Sequence, residues 1–319
     1  MLEMSINKKA GRKNTAVRSI LKDVFKKRQL YYMLLPNVIL FSLLSIYPIM
    51  WALQYMFFSY DGIYPAKFTG LDNFARVFTR DPVFWTSVVT TFKYVIGKLI
   101  FTVPIAFILA LILNKKFFGS SFFRAVIFSP TIMSAAVIGM IFYLLFNAYN
   151  GEINRILLNL NIIHEPINWL GKDHSLISVI ILGAWGGIGN YMIYFLSGLQ
   201  NIPNEIYESA NLDGVNAFQR VFLIEIPMMG PVLKFILMLA IVIAFQDMQG
   251  IMVLTEGGPV QSTLVMFLYV YQLYFPISVS APINPEYGYG AAVCIVSAAI
   301  VGVITLIYLY FARKLDDIY

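Results

Sequence analysis

The chain has 319 residues, a net charge of +6, and 59% hydrophobic but only 13% charged side chains. A soluble domain carries about 25% charged residues, so the composition excludes an ordinary soluble enzyme. Apolar runs near the roughly 20 residues that cross a bilayer recur along the chain. Their continuity excludes a transmembrane β-barrel, whose strands alternate over short segments. The expected class is an all-α polytopic membrane protein.

The first thirty residues form a basic arm, with Lys8, Lys9, Arg12, Lys13, Arg18, Lys22, Lys26, Lys27 and Arg28. This stretch is too long for a cleavable signal, and the apolar run behind it is too long for a signal core. Val17, Ile20, Leu21, Val24 and Phe25 recur at helical spacing between the cations, which predicts an amphipathic interfacial helix on the lipid of the inner leaflet. The arm accounts for the net charge, and no nucleic-acid partner is expected. Residues 1–30 are therefore read as a cytoplasmic arm and 31–319 as a membrane domain.

Six spans are predicted: Tyr32–Phe57, Val88–Leu113, Arg124–Phe146, Leu176–Gly198, Pro231–Leu254 and Ala291–Phe311. With the arm inside, Lys115, Lys116, Arg124, Arg313 and Lys314 also fall inside, and the outer loops carry few cations. That asymmetry predicts both termini in the cytoplasm. Between the first two spans, Gly70-Leu71-Asp72-Asn73-Phe74 leads into a short helix with Phe74, Val77 and Phe78 on one face. Trp85, Trp169, Tyr60 and Tyr64 fit an interfacial aromatic belt.

The loop between the fourth and fifth spans, about 201–227, is the most informative segment. Asn201–Leu212 reads as a helix with Pro203 in its first turn and Glu205 at the positive end of the dipole. Gly214 supplies a residue able to turn with positive φ. A second helix follows, with Phe218, Val221 and Phe222 on one face, and Pro227 is expected to stop it.

Glu208, Ser209, Ala210, Asp213 and Gly214, closing at Ile224-Glu225-Ile226-Pro227, resemble the E-x-A…G…I-x-I-P loop of binding-protein-dependent ABC import permeases. Further resemblances follow in order. Leu109-Ala110-Leu111-Ile112-Leu113-Asn114 resembles the end of that family's second span. Thr255-Glu256-Gly257-Gly258-Pro259 resembles the T-x-G-G-P segment of its maltose and multiple-sugar branch, and Tyr287–Ala292 the start of its last span. Gly70–Phe74 is similar to a segment of the sugar-importer branch.

The resemblance implies an ABC importer permease fold in the bacterial plasma (inner) membrane, moving carbohydrate, in particular an oligosaccharide, by alternating access. It implies a second related permease as heterodimer partner, two ABC ATPase subunits docked on the 201–227 loop, and an extracytoplasmic solute-binding protein seated near Thr255, Gly257, Gly258 and Pro259. ATP and Mg would then be bound by the partners. This chain would be a non-catalytic subunit with no cofactor of its own, and it has no Gly-rich P-loop.

Charges inside spans are costly and face protein or water. Lys98, Gln246, Asp247 and Gln249 are candidates for the solute path, with Trp185, Tyr191 and Tyr194 as stacking platforms. A structural Lys98–Asp247 pair is the competing reading, with Lys93 snorkelling outward. At about 100° per residue, Lys93 and Lys98 lie about 140° apart on the helix. An unpaired Lys98 would favour an acidic sugar such as a uronic-acid chain. One cysteine, Cys294, and two histidines in a single loop, His164 and His174, supply no disulfide and no expected metal site. The alternative function is an ion- or proton-coupled secondary sugar transporter using Asp247 and Lys98; a sensor or structural subunit is a further one.

Overall fold

The computed structural model describes residues 28–115, 117–276 and 284–316, with side chains described as far as Arg313. The amphipathic helix expected at 17–25 lies outside the described residues. The chain divides into two units, Met1–Tyr55 and Met56–Tyr319.

In the first unit, α1 (Arg28–Phe41) runs through a π turn (Ser42–Ile46) into α2 (Tyr47–Leu53), and a 3-10 turn (Gln54–Phe57) follows across the boundary. This apolar run is long enough to cross a membrane. Neither α1 nor α2 buries any residue, as expected of a helix whose solvent is lipid.

The second unit begins with a two-stranded antiparallel ribbon, β1 (Phe58–Ser59) paired with β2 (Lys67–Phe68). Then come α3 (Asp72–Thr79), α4 (Pro82–Asn114), α5 (Ser120–Ile132), α6 (Ala135–Leu145), α7 (Glu152–Asn159) and α8 (Ser175–Gln200). The segment after α8 carries α9 (Asn204–Leu212), α10 (Ala217–Arg220), a π turn (Val221–Glu225) and α11 (Ile226–Met228). The chain ends with α12 (Gly230–Gln246), α13 (Gln249–Thr255), α14 (Met266–Tyr274) and α15 (Tyr287–Asp316).

Among the described residues, four helical runs are long and apolar enough to cross a membrane: Arg28–Phe57, α4, α8 and α15. The total reaches six if two bent pairs, α5 with α6 and α10–α11 with α12, each count as one span. The predicted third span is broken. α5 and α6 meet at 99° across Met133 and Ser134, where the Ser134 hydroxyl caps α6 by accepting from the Val137 N–H. The predicted fifth span is also interrupted: α12 stops at Gln246 because Asp247 takes an extended conformation, and α13 restarts at Gln249. Polar side chains cluster where the backbone leaves the helix. The short outer helix α3 buries Val77 and Asn73, whereas Phe78, expected on the same face as Val77, is exposed beside Trp85.

Two apolar clusters build the core. One takes Val88, Tyr94 and Val95 from α4 and Val179, Ile180 and Leu182 from α8. The other takes Ala106, Ala110 and Leu113 from α4 and Tyr191, Met192 and Phe195 from α8. Between them α4 contributes buried Lys98 and Thr102, and α8 contributes Gly183, Gly186, Gly187 and Gly189. A polar, glycine-rich seam therefore crosses the bundle midway along its longest helix.

Candidate functional site

Asp247 is the centre of the seam. Freed from the helix, its carboxylate oxygen Oδ2 accepts from Lys98 Nζ at 2.7 Å and from the Tyr94 hydroxyl at 2.6 Å. Tyr94 and Lys98 are four residues apart, so one helical face delivers both. The Lys98 side chain is 7% exposed and that of Asp247 22%. The structure thus pairs these charges, and the condition that would favour an acidic sugar, an unpaired Lys98, is not met. Lys93 is exposed.

Gly183 makes the arrangement possible. A Cβ there would lie 2.2 Å from the Tyr94 hydroxyl and 3.3 Å from Lys98. Any larger residue on this turn of α8 would push Tyr94 off Asp247.

A cavity of about 210 Å³ opens beside the pair, walled by Lys98, Thr131, Asn190, Tyr191 and Asp247 among others. The Thr131 hydroxyl is buried there without a hydrogen-bond partner among the described residues. Gln246, Asp247 and Gln249 line a neighbouring hollow of about 280 Å³. Of the sequence candidates, Lys98, Asp247 and Tyr191 therefore share one cavity, and Gln246 and Gln249 adjoin through Asp247. Trp185 and Tyr194 do not line it: Trp185 packs on Phe142, and Tyr194 stacks between Tyr191 and Phe235. Sequence reasoning missed Tyr94, Thr131 and Asn190. The Tyr94–Lys98 spacing and the glycine run of α8 were the signals for the first of these.

The 201–227 loop is a helix–turn–helix. α9 starts at Asn204 with Pro203 as its N-cap, one step before the predicted first turn. Gly214 takes φ +72°, a left-handed turn that favours glycine. Asn216 and Gln219 then form a reciprocal capping box at the start of α10. Glu208, Ser209, Asp213 and Gly214 are exposed. Ala210 is buried in the chain's own structure. Phe218 and Phe222 are exposed and stack on each other at 4.5 Å.

As expected, the second helix stops at Pro227 to within one residue, ending at Met228. α10–α11 then meets α12 at 77°. Inside that corner Arg220 Nε lies 3.5 Å from Glu225 Oε1, and the Arg220 guanidinium sits 5.9 Å from the centre of the Tyr207 ring. Burial pushes the Glu225 carboxyl above its ordinary range, an effect that Arg220 partly offsets.

At the far end of α4, Asp81 caps the helix through the Phe84 N–H and also accepts from the Tyr269 and Tyr289 hydroxyls. Arg76 pairs with Glu286 and stacks on Tyr289. Close by in sequence, Thr255 and Gly257 face into their own loop: the Thr255 and Thr263 hydroxyls lie 2.7 Å apart, and Thr263 donates to the Gly258 carbonyl. Gly258 and Pro259 are half-buried, so the exposed residues of this loop are Glu256 and Val260.

The model of the family described as "Binding-protein-dependent transport system inner membrane component" matches residues 102–317. The chain belongs to this family. It is 32% identical over 306 residues to the arabinooligosaccharides transport system permease protein of Bacillus subtilis, covering 93% of each chain. It is 34% identical to the lactose transport system permease protein of Rhizobium radiobacter, over 88% of this chain and 92% of that one. Among solved structures, a bacterial ABC transporter that imports the acidic polysaccharide alginate contains a chain that superposes with a TM-score of 0.78. That match covers 93% of this chain and 99% of the other at 22% identity, and it shows the permease fold. As a member of this inner membrane family the chain is a membrane transport component.

Proposed function

We propose that the chain is the non-catalytic translocation subunit of an ATP-driven importer of carbohydrate, most simply an oligosaccharide. The observation that carries this reading is the corner at residues 201–229. The first arm of the helix–turn–helix and its turn expose Glu208, Ser209 and Asp213, and its second arm, α10–α11, meets α12 at 77°, so that arm lies across the direction of the helix it drives. A push on such a lever turns into tilt of α12, and α12 ends at Asp247 in the central seam. With the loop and both termini in the cytoplasm, two ABC ATPase subunits supply the push and bind ATP and Mg. A second permease completes the pathway, and a solute-binding protein delivers sugar on the opposite face.

The relatives' names, which include arabinooligosaccharides and lactose, support a carbohydrate substrate. The seam offers sugar hydroxyls a Thr131 hydroxyl, an Asn190 amide and the Tyr191 ring around a neutralised ion pair. We assign Lys98 and Asp247 to shaping that path and Gln246 and Gln249 to its rim. The Glu256–Val260 turn, which includes Gly257, Gly258 and Pro259, is the candidate docking edge for the binding protein.

The test is an affinity pull-down of the tagged chain in mild detergent with Glu208→Lys alongside it. The expected result is recovery of an ATPase and a second permease with the wild type, and loss of the ATPase alone with the variant. Wild-type chain that purifies with no ATPase overturns the assignment.

A further inference from the structure

We propose that the space behind the 201–229 corner is a binding site for an anionic membrane phospholipid. A cavity of about 810 Å³ opens there between the last turns of α4 and α8, the start of α5 and the corner itself. Its charged lining is Lys115, Arg124, Arg220 and Glu225, three cations against one carboxylate. Glu225 faces Arg220 at 3.5 Å, so Lys115 and Arg124 carry the surplus positive charge. Arg124 is anchored by donating to the Leu113 carbonyl at 2.6 Å, while its Nε is buried with no acceptor among the described residues. A phosphate oxygen is the acceptor such a guanidinium binds best.

A second hollow, of about 210 Å³, is lined only by apolar residues, among them Val103, Phe107, Phe195, Ile226, Met229 and Leu233. Both spaces use the same walls. Phe107 lies one turn from Leu111 on α4, Phe195 one turn from Leu199 on α8, and Met229 one turn from Glu225. A turn advances about 5.4 Å, so the cationic cavity and the apolar slot succeed each other along one groove. That is the order of phosphate and acyl chain in a lipid of the bilayer. Basic pockets between membrane helices on the cytoplasmic side take anionic headgroups. A soluble phosphate would fill the cavity and leave the slot unused, which is why the lipid is the occupant.

The test uses the full-length chain in mild detergent, incubated with phosphatidylglycerol or phosphatidylethanolamine, with bound lipid read by native mass spectrometry. Phosphatidylglycerol should be retained preferentially. Lys115→Gln and Arg124→Gln should each weaken retention about fivefold, the effect of one cation near an anionic headgroup. Leu233→Trp, which fills the slot, should weaken it too, and glycerol phosphate should not displace the lipid. Equal retention of both lipids overturns the proposal, as does indifference to the cation changes. Displacement by glycerol phosphate with Leu233→Trp silent assigns the cavity to a soluble anion and also overturns it. Lys115 is exposed, so its variant reports even if Arg124→Gln elutes as aggregate. Lipid retention is read without an ATPase present, so its failure is distinct from failure of the importer assignment.

Discussion

Replacing Lys98 with methionine removes the ammonium 2.7 Å from Asp247 while keeping most of the side-chain volume. Asp247 then keeps, among the described residues, only the Tyr94 hydroxyl as a side-chain partner, in a seam between two apolar clusters. Breaking a buried ion pair by removing one partner costs about 3–5 kcal/mol. With Asp247 22% exposed and Tyr94 retained, the lower end of that range applies, about 3 kcal/mol, close to the ~2.5–3.5 kcal/mol cost of an uncompensated charge at mid-membrane. Asp247→Asn alone strands Lys98 at similar cost. The double variant Lys98→Met/Asp247→Asn removes both charges and should lose only about 1 kcal/mol, since neutral replacement of a buried pair is often tolerated. The assay is equilibrium unfolding in mixed SDS micelles, analysed as a double-mutant cycle. The reasoning requires a coupling energy of at least about 2 kcal/mol. Single variants whose losses simply add would refute it, because the two charges would then not depend on one another.

Three further outcomes follow from other parts of the structure. Gly183→Ala places a methyl 2.2 Å from the Tyr94 hydroxyl and should cost about 1–3 kcal/mol by overpacking; in the Tyr94→Phe background most of that loss should disappear when both are unfolded side by side. Asp81→Ala leaves the Tyr269 and Tyr289 hydroxyls without their acceptor, an expected loss of about 2–4 kcal/mol, whereas Thr86→Ala on the exposed side of the same helix should cost little in the same melting assay. Burial raises the Glu225 carboxyl above its ordinary 4.5, so the folded state binds its proton more tightly than the unfolded state. The stability it contributes is present below pH 4.5 and lost as pH rises through the raised value. Glu225→Gln should flatten that decline in a series of unfolding measurements across this window, and an unchanged slope would refute the assignment.

Periodicity and composition located the apolar runs because a bilayer demands about 20 apolar residues whatever they pack against. The helices α4, α8 and α15 fall within a few residues of the spans read from sequence. The breaks were not legible in the same way. Averaged over a span, Met133-Ser134 and Asp247-Met248 look like minor polar interruptions, yet Ser134 caps a new helix and Asp247 leaves the helix to reach Lys98. The choice between a pair and a solute ligand for Lys98 depended on where α12 ended, which hydropathy does not encode. In the 201–227 loop, Gly214 was readable because positive φ leaves a residue signature. Burial of Ala210 and the Arg220–Glu225 contact were not, because they depend on how the corner folds back on α4 and α8.

The central claim is ATP-driven import through this chain, and the most direct measurement is uptake of a labelled oligosaccharide into proteoliposomes. These would contain the chain, its co-purified permease and ATPase partners, and the binding protein, with ATP sealed inside. The account predicts uptake that requires ATP and binding protein, persists when ion gradients are collapsed, and is lost with Glu208→Lys. Uptake by the chain without an ATPase, abolished by collapsing the proton or sodium gradient, would contradict it.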